Sequence, residues 1–318
     1  MIAMLQRGLK QGLTLTWSLG KIIFPITLIM TILQYTPVFP WLMNKISPLM
    51  SAVGLSAEAA VPLVIGNFLN LYAGIAAILS FDFTVKEVFI MAVMLSFSHN
   101  LIVESAVAKK VGVSWWFVIG LRLSLAILSA WMINLFWDGG GDLASYGFAS
   151  LETADPSGVS AIVWHGIITA VSGILQLALI VIPLMLVMQV FREKGWLDVF
   201  SGLMAPLMKG LGMNRNTSTT MVAGLTIGLA YGAGVMIQAV EEDGVSKKDM
   251  YLTMIFLVSC HAVVEDTLVF IPLGIPIWPL LAIRLATAIV LTAGIGFFWN
   301  RQRARKREPA SSHSYQGG

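Results

Sequence analysis

The stretch "SCHAVVEDTLVFIPLGIPIWPLLAIR", residues Ser259 to Arg284, sets His261, Glu265, Asp266 and Arg284 inside an otherwise apolar run. An unpaired charge at the centre of a bilayer costs roughly 2.5 to 3.5 kcal/mol even on the lenient insertion scale, so these residues need partners or a function. A related stretch, "SHNLIVESAVAKKVGVSWWFVIGLR", lies earlier at Ser98 to Arg122. One polar motif is thus written twice.

Composition says what surrounds it. With 57% hydrophobic and only 12% charged residues over 318 positions, the chain lies far outside the range of soluble domains and reads as a polytopic, all-α membrane protein. Apolar runs at Leu13–Tyr35, Val88–Ala108, Trp115–Trp137, Ala161–Val190, Tyr251–Ile271 and Pro279–Trp299 are long enough to span, since about 20 helical residues cross the hydrocarbon. The single Cys260 excludes an intrachain disulfide framework, and no CxxC spacing is present. We expect Cys260 to be a small packing residue, with a soft metal ligand as the alternative.

Charge placement gives orientation. The net charge of +3 hides a basic run, "RQRARKR" at Arg301–Arg307, directly after the last span. Next to a membrane this is a topology anchor rather than a nucleic-acid site, so the C-terminus is expected in the cytoplasm, as is the N-terminus with Arg7 and Lys10. The polar end, "EPASSHSYQGG", reads as disordered. The first apolar run carries Pro25 and lacks a small-x-small cleavage site, so it is kept as a span and not as a signal peptide. Lys109 and Lys110 put that helix end inside, whereas the acidic, Lys- and Arg-free stretch from Asp138 to Gly158 belongs outside.

The repeat is the strongest signal. A shift of 162 residues matches His99 with His261, Gly112 with Gly274, Trp116 with Trp278 and Arg122 with Arg284, and sets Glu104 opposite Asp266. A shift of 158 matches Pro48 with Pro206, Gly54 with Gly212, Gly66 with Gly224 and Gly74 with Gly232. The turn after Lys110 is expected inside, while its uncharged counterpart, Pro272–Pro279, precedes a span that ends inside. The two repeats therefore point opposite ways, with about five helical elements in each. Inverted repeats with discontinuous helices are a recurring build of secondary transporters, whose site lies near the midplane where the repeats meet. We place the first repeat at residues 1–140, an extracytoplasmic acidic loop at 141–160, the second repeat at 161–300 and a basic cytoplasmic tail at 301–318.

Glu104 and Arg122 are equally distant in sequence from Val113, as Asp266 and Arg284 are from Ile275. In helical hairpins turning there, Glu104 meets Arg122 and Asp266 meets Arg284, which predicts two structural ion pairs. His99, Asn100, His261 and Glu265 are left over. On a continuous helix His261 and Glu265, spaced i, i+4, share a face, with His99 opposite. Such a set would bind a divalent cation, with His99, His261, Glu265 and Asp266 as the candidate ligands, or carry a proton, or hydrogen-bond a polar solute. Asn67, Asn70, Asn216, Thr217, Ser218 and Thr219 lie in glycine-rich stretches that read either as close helix packing or as substrate lining. His165 and His313 merit no role. No nucleophile elbow, phosphate loop or HExxH motif is present, which argues against an enzyme and predicts no cofactor beyond a transported or coupling cation.

The "SHNxxxE" and "CHxxxED" helices, together with "GNFLNLYAG" and "GLTIGLAYGAG", resemble the nucleoside-recognition (Gate) family. That family includes the spore maturation membrane proteins and is similar to the gates of bacterial ferrous-iron transporter B and, more distantly, of concentrative nucleoside transporters. The resemblance implies a solute-conducting protein of the bacterial inner membrane, built as two Gate repeats. It implies neither a substrate nor GTP-driven iron uptake, because the chain has no GTPase loop. The reading that follows is a secondary transporter, or one subunit of one, for a small polar solute such as a nucleoside, coupled to protons or cations. Its alternatives are a divalent-cation permease and a non-transporting membrane partner. Expected partners are the bilayer, the solute, and a second copy or a paired Gate protein. The orientation predicts that a cysteine placed at Ser145 is labelled by a membrane-impermeant thiol reagent from outside and one placed at Lys109 is not; the reverse pattern would overturn the inverted arrangement.

Overall fold

The computed structural model describes residues 2–145, 158–195, 199, 206, 210–213, 217–229, 236, 237, 240 and 244–307. Asn216, Gly232, Gly234, most of the acidic loop and the polar end of the tail lie outside the described residues. The described chain is all-α, with no sheet and one isolated bridge between Thr84 and Leu143.

Two long helices flank the bundle: α1, Ile2–Gln34, and α8, Val159–Glu193. They run antiparallel, joined at one end by Arg7, whose Nε and Nη2 donate to Glu193 at 2.9 and 2.8 Å, and at the other by Tyr35 against His165. The Arg7 hydrogen bonds hold the Glu193 carboxyl below the usual carboxylate range. Small residues let the two helices approach closely: a Cβ on Gly12 would sit 2.9 Å from the Cα of Ile182.

Between them the first repeat continues with α2, Val38–Ser51, a 3-10 turn at Ala57–Ala59, α3, Ala60–Phe68, α4, Leu71–Ile78, α5, Val85–Ser98, α6, Leu101–Lys110, and α7, Trp115–Phe136. Counting α3 with α4 and α5 with α6 as broken helices gives the five expected elements. The breaks are specific. Asn70 is fully extended and its side chain caps α4 by accepting from the Ala73 N–H; Asn100 sits in the left-handed region at φ 49° between α5 and α6. The second repeat repeats the design with α9, Ser218–Ile227, α10, Lys247–Ser259, α11, Glu265–Leu268, and α12, Ile277–Arg307. Here α9 stops at Gly228 with φ 86°, and Ala262 takes the left-handed conformation, φ 40°, between α10 and α11.

In each repeat the two broken helices are stitched at their breaks. The Asn100 N–H donates to Gly66 O at 2.9 Å, and the Ala262 N–H donates to Gly224 O at 3.1 Å. These carbonyls can be reached because glycine leaves the surface bare. A Cβ on Gly224 would lie 2.5 Å from Leu257, and one on Gly66 would lie 2.5 Å from Leu95, the residue matched to Leu257.

Three described helical stretches are long and apolar enough to cross a membrane: Val85–Lys110, Trp115–Phe136 and Ile277–Arg301. The first is 83% buried, whereas α7 and α12 are 22% and 28% buried, so α5 and α6 form the centre while α7 and α12 show broad faces to lipid. The ends of α7 fix the ends of the bundle. Ser114 and Phe117 meet Tyr251, which packs on Trp299, at one end; residues 140–144 pair with Phe83–Lys86 at the other, where Ser145 O lies against Gly274. The matched turns at Gly112 and Gly274 therefore lie at opposite ends. So do the matched Trp116 and Trp278, 75% and 74% exposed, as expected of residues anchored at two membrane interfaces.

Close packing gives a stability prediction. A Cβ on Gly74 would come within 2.9 Å of the Gly66 backbone, and one on Gly120 would meet nothing within 4 Å. Gly74→Ala is expected to destabilise the protein by about 1–3 kcal/mol and to lower its thermal melting point, while Gly120→Ala leaves it unchanged or raises it; equal effects of the two would contradict the packing.

Candidate functional site

A helix broken inside the membrane exposes carbonyl groups that need donors. Here arginines supply them. Arg122, fully buried on α7, donates from Nε to Phe97 O at 2.7 Å and from Nη2 to His99 O at 2.6 Å, at the end of α5. Arg284, equally buried on α12, donates from Nη2 to His261 O at 2.7 Å, just past the end of α10. Each guanidinium then carries its charge to a carboxylate. Arg122 Nη2 lies 2.8 Å from Glu104 Oε2, and Arg284 Nη2 lies 3.1 Å from Asp266 Oδ2.

The histidines sit at the same breaks. The Nδ1 of His99 is 2.7 Å from Leu95 O and that of His261 is 2.8 Å from Leu257 O. A backbone carbonyl only accepts, so each Nδ1 carries the proton and each Nε2 turns inward. The two rings face each other with centroids 5.2 Å apart. Their Nε2 atoms meet carboxylates of both repeats: His99 is 3.4 Å from Glu104 and 3.9 Å from Asp266, and His261 is 3.4 Å from Glu104 and 3.5 Å from Asp266. All four side chains are buried.

The cluster lines a cavity of about 290 Å³, with Asn70, Asn100, Tyr72 and Glu265 also on its wall. Glu265 is placed differently from the sequence expectation. The continuous helix assumed for the i, i+4 pair is interrupted between Ser259 and Glu265, and Glu265 accepts a 2.7 Å hydrogen bond from the Tyr72 hydroxyl. Asp266, together with Glu104, faces His261 instead. The expected separation of structural ion pairs from functional histidines is thus not how the centre is built, because each carboxylate serves both an arginine and the histidines. The candidate metal set changes in the same way. His99, His261 and Asp266 bring ligand atoms within 4.8 Å of one another, and neither Glu265 nor Glu104 is in that group.

Asn67 stands apart from the cavity, donating to Leu63 O at 2.7 Å, and Thr217 is buried beside α9 without lining the cavity. Cys260 belongs to an apolar cluster drawn from both halves of the chain, including Ala108, Val111 and Val118 as well as Leu252 and Phe256. Tyr72 was not singled out by the sequence: its position at a shift of 158 is Ala230, so the repeat gave no signal for it.

The Gate family, described as nucleoside recognition, matches residues 16–115 and 174–277, one segment in each half of the chain. "Uncharacterized membrane protein YvoD" of Bacillus subtilis (strain 168) is 59% identical over 294 residues, covering 92% of this chain and 94% of that protein. No solved structure matches. With His99 and Glu104 in one matched segment and His261 and Asp266 in the other, the chain belongs to the Gate family of membrane proteins.

Proposed function

We propose that the protein is a secondary transporter, or one subunit of one, that carries a small polar solute across the bacterial cytoplasmic membrane by alternating access. The observation that carries this reading is the central cavity. Four helix breaks and six ionisable side chains converge where the repeats meet, and such a buried polar centre is too costly to keep as packing alone. At about 290 Å³ it lies at the lower edge of small-molecule sites, which favours a compact solute or an ion. The nucleoside version rests on the family description alone.

The geometry supplies a way to move. Matched turns at opposite ends support an inverted pair of repeats, in which an exchange of conformations between the two redirects the cavity from one face to the other. The breaks at Asn100 and Ala262 already lack continuous helical bonding and are held by single donors to Gly66 and Gly224. One contact has no counterpart: the Tyr72–Glu265 hydrogen bond ties α4 to α11, whereas the residue matched to Glu265 is Val103. That asymmetric tie is the gate of this reading. Both termini are taken as cytoplasmic, supported by Lys248, which donates to Gly212 O and Asn300 Oδ1 at the end where the basic tail begins. A second copy or a paired Gate protein is its proposed partner, and no catalytic step is part of it.

Uptake into proteoliposomes tests the function. Purified protein screened against labelled nucleosides, amino acids and divalent cations is expected to accumulate at least one of them, with Tyr72→Phe altering the rate and a His99→Ala, His261→Ala double variant abolishing it. Accumulation of none would support the non-transporting role instead, and full uptake by the double variant would remove the two histidines from the transport site.

A further inference from the structure

At the centre of the cluster the two imidazoles turn Nε2 toward carboxylate oxygens of Glu104 and Asp266. With Nδ1 of each histidine donating to a carbonyl, the inward Nε2 of His99 and His261 presents a lone pair, and it points at carboxylate oxygens that also carry lone pairs. The His261 Nε2 is buried and has no hydrogen-bond partner. Either protons or a metal cation would reconcile these atoms, and the distances separate the two. A charge-assisted N–H···O bond measures about 2.7–2.9 Å, and the four contacts here run from 3.4 to 3.9 Å. Ligands bound at about 2.0–2.2 Å in a tetrahedron stand roughly 3.3–3.6 Å apart; Asp266 Oδ2 lies 3.5 Å from His261 Nε2 and 3.9 Å from His99 Nε2.

We infer that this centre takes one divalent transition-metal cation, held by Nε2 of His99, Nε2 of His261 and one carboxylate oxygen of Asp266, whose ligand atoms lie within 4.8 Å of one another, with the fourth position left to solvent. This rests on the transport reading for its purpose, since it names the class of solute the central site would carry. Donor chemistry favours borderline metals such as Zn²⁺ over Ca²⁺ or Mg²⁺, which prefer all-oxygen shells. Thiolate is absent from the set, since Cys260 is not among the residues whose ligand atoms converge and belongs to an apolar cluster. The carbonyls that fix each Nδ1 orient the rings as second-shell partners do in metal sites. Arg122 and Arg284 each pair with one of the two carboxylates, so the acids have a partner whether or not a cation is bound.

The test is binding by the full-length protein in lipid nanodiscs after chelator treatment, titrated with ZnCl₂. One Zn²⁺ per chain is expected, with an X-ray absorption spectrum of four nitrogen or oxygen donors and imidazole scattering. His261→Gln and His99→Gln are expected to weaken binding about tenfold or more, while melting in chelator confirms that they are folded; Cys260→Ser binds as the wild type does. Asp266→Asn is expected to weaken binding as the histidine variants do, with its melting in chelator as the check that it is folded. Wild-type affinity in both histidine variants, sulfur in the shell, or no binding at all would overturn the inference. Zn²⁺ bound by the wild type, with neither Zn²⁺ nor any other tested solute taken up by proteoliposomes, would confirm the site and sink the transport reading. Uptake of another solute without Zn²⁺ binding would do the reverse.

Discussion

The structure depends on keeping charge inside a bundle whose surroundings cannot solvate it. Two guanidinium groups and two carboxylates lie at the centre with almost no exposure, and breaking such a pair by removing one partner costs about 3–5 kcal/mol. The chain meets this constraint with one device used twice. An arginine from the helix after the turn reaches back across the hairpin, satisfies a carbonyl at the broken helix end, and pairs with a carboxylate just beyond the break. The same interaction thus holds the helix break open and neutralises the acid.

The breaks in turn dictate the glycines. A second helix has to approach closely enough for its carbonyl to accept from Asn100 or Ala262, and only Gly66 and Gly224 leave that space beside Leu95 and Leu257. Once the carbonyls, arginines and carboxylates are fixed, the histidines have one place to go. Their Nδ1 atoms bond one turn back, and their rings face each other with centroids 5.2 Å apart. The site is a consequence of how the two broken helices are closed.

Much of this was legible in the sequence, because membrane burial makes every polar residue informative. The pairs Glu104 with Arg122 and Asp266 with Arg284 follow from equal spacing about the turns, and the two Gate segments follow from the two shifts that align the halves. The shifts of 162 and 158 correspond to two different helices in each repeat, stitched together at Gly66 and Gly224. What could not be read was the left-handed kink at Ala262. Alanine carries no signal for positive φ, so His261 and Glu265 looked like neighbours on one helical face. Tyr72 was equally hidden, since it breaks the symmetry that made the other residues visible.

The account stands or falls on whether residues of the two repeats act as one centre. A double-mutant cycle between Glu104 of the first repeat and His261 of the second, 3.4 Å apart, measures this most directly. Unfolding free energies in mild detergent would be determined for Glu104→Gln, His261→Gln and the double variant. Coupling of about 0.5–3 kcal/mol is predicted. Additivity within about 0.3 kcal/mol would mean that the two half-sites do not meet, and would contradict the account.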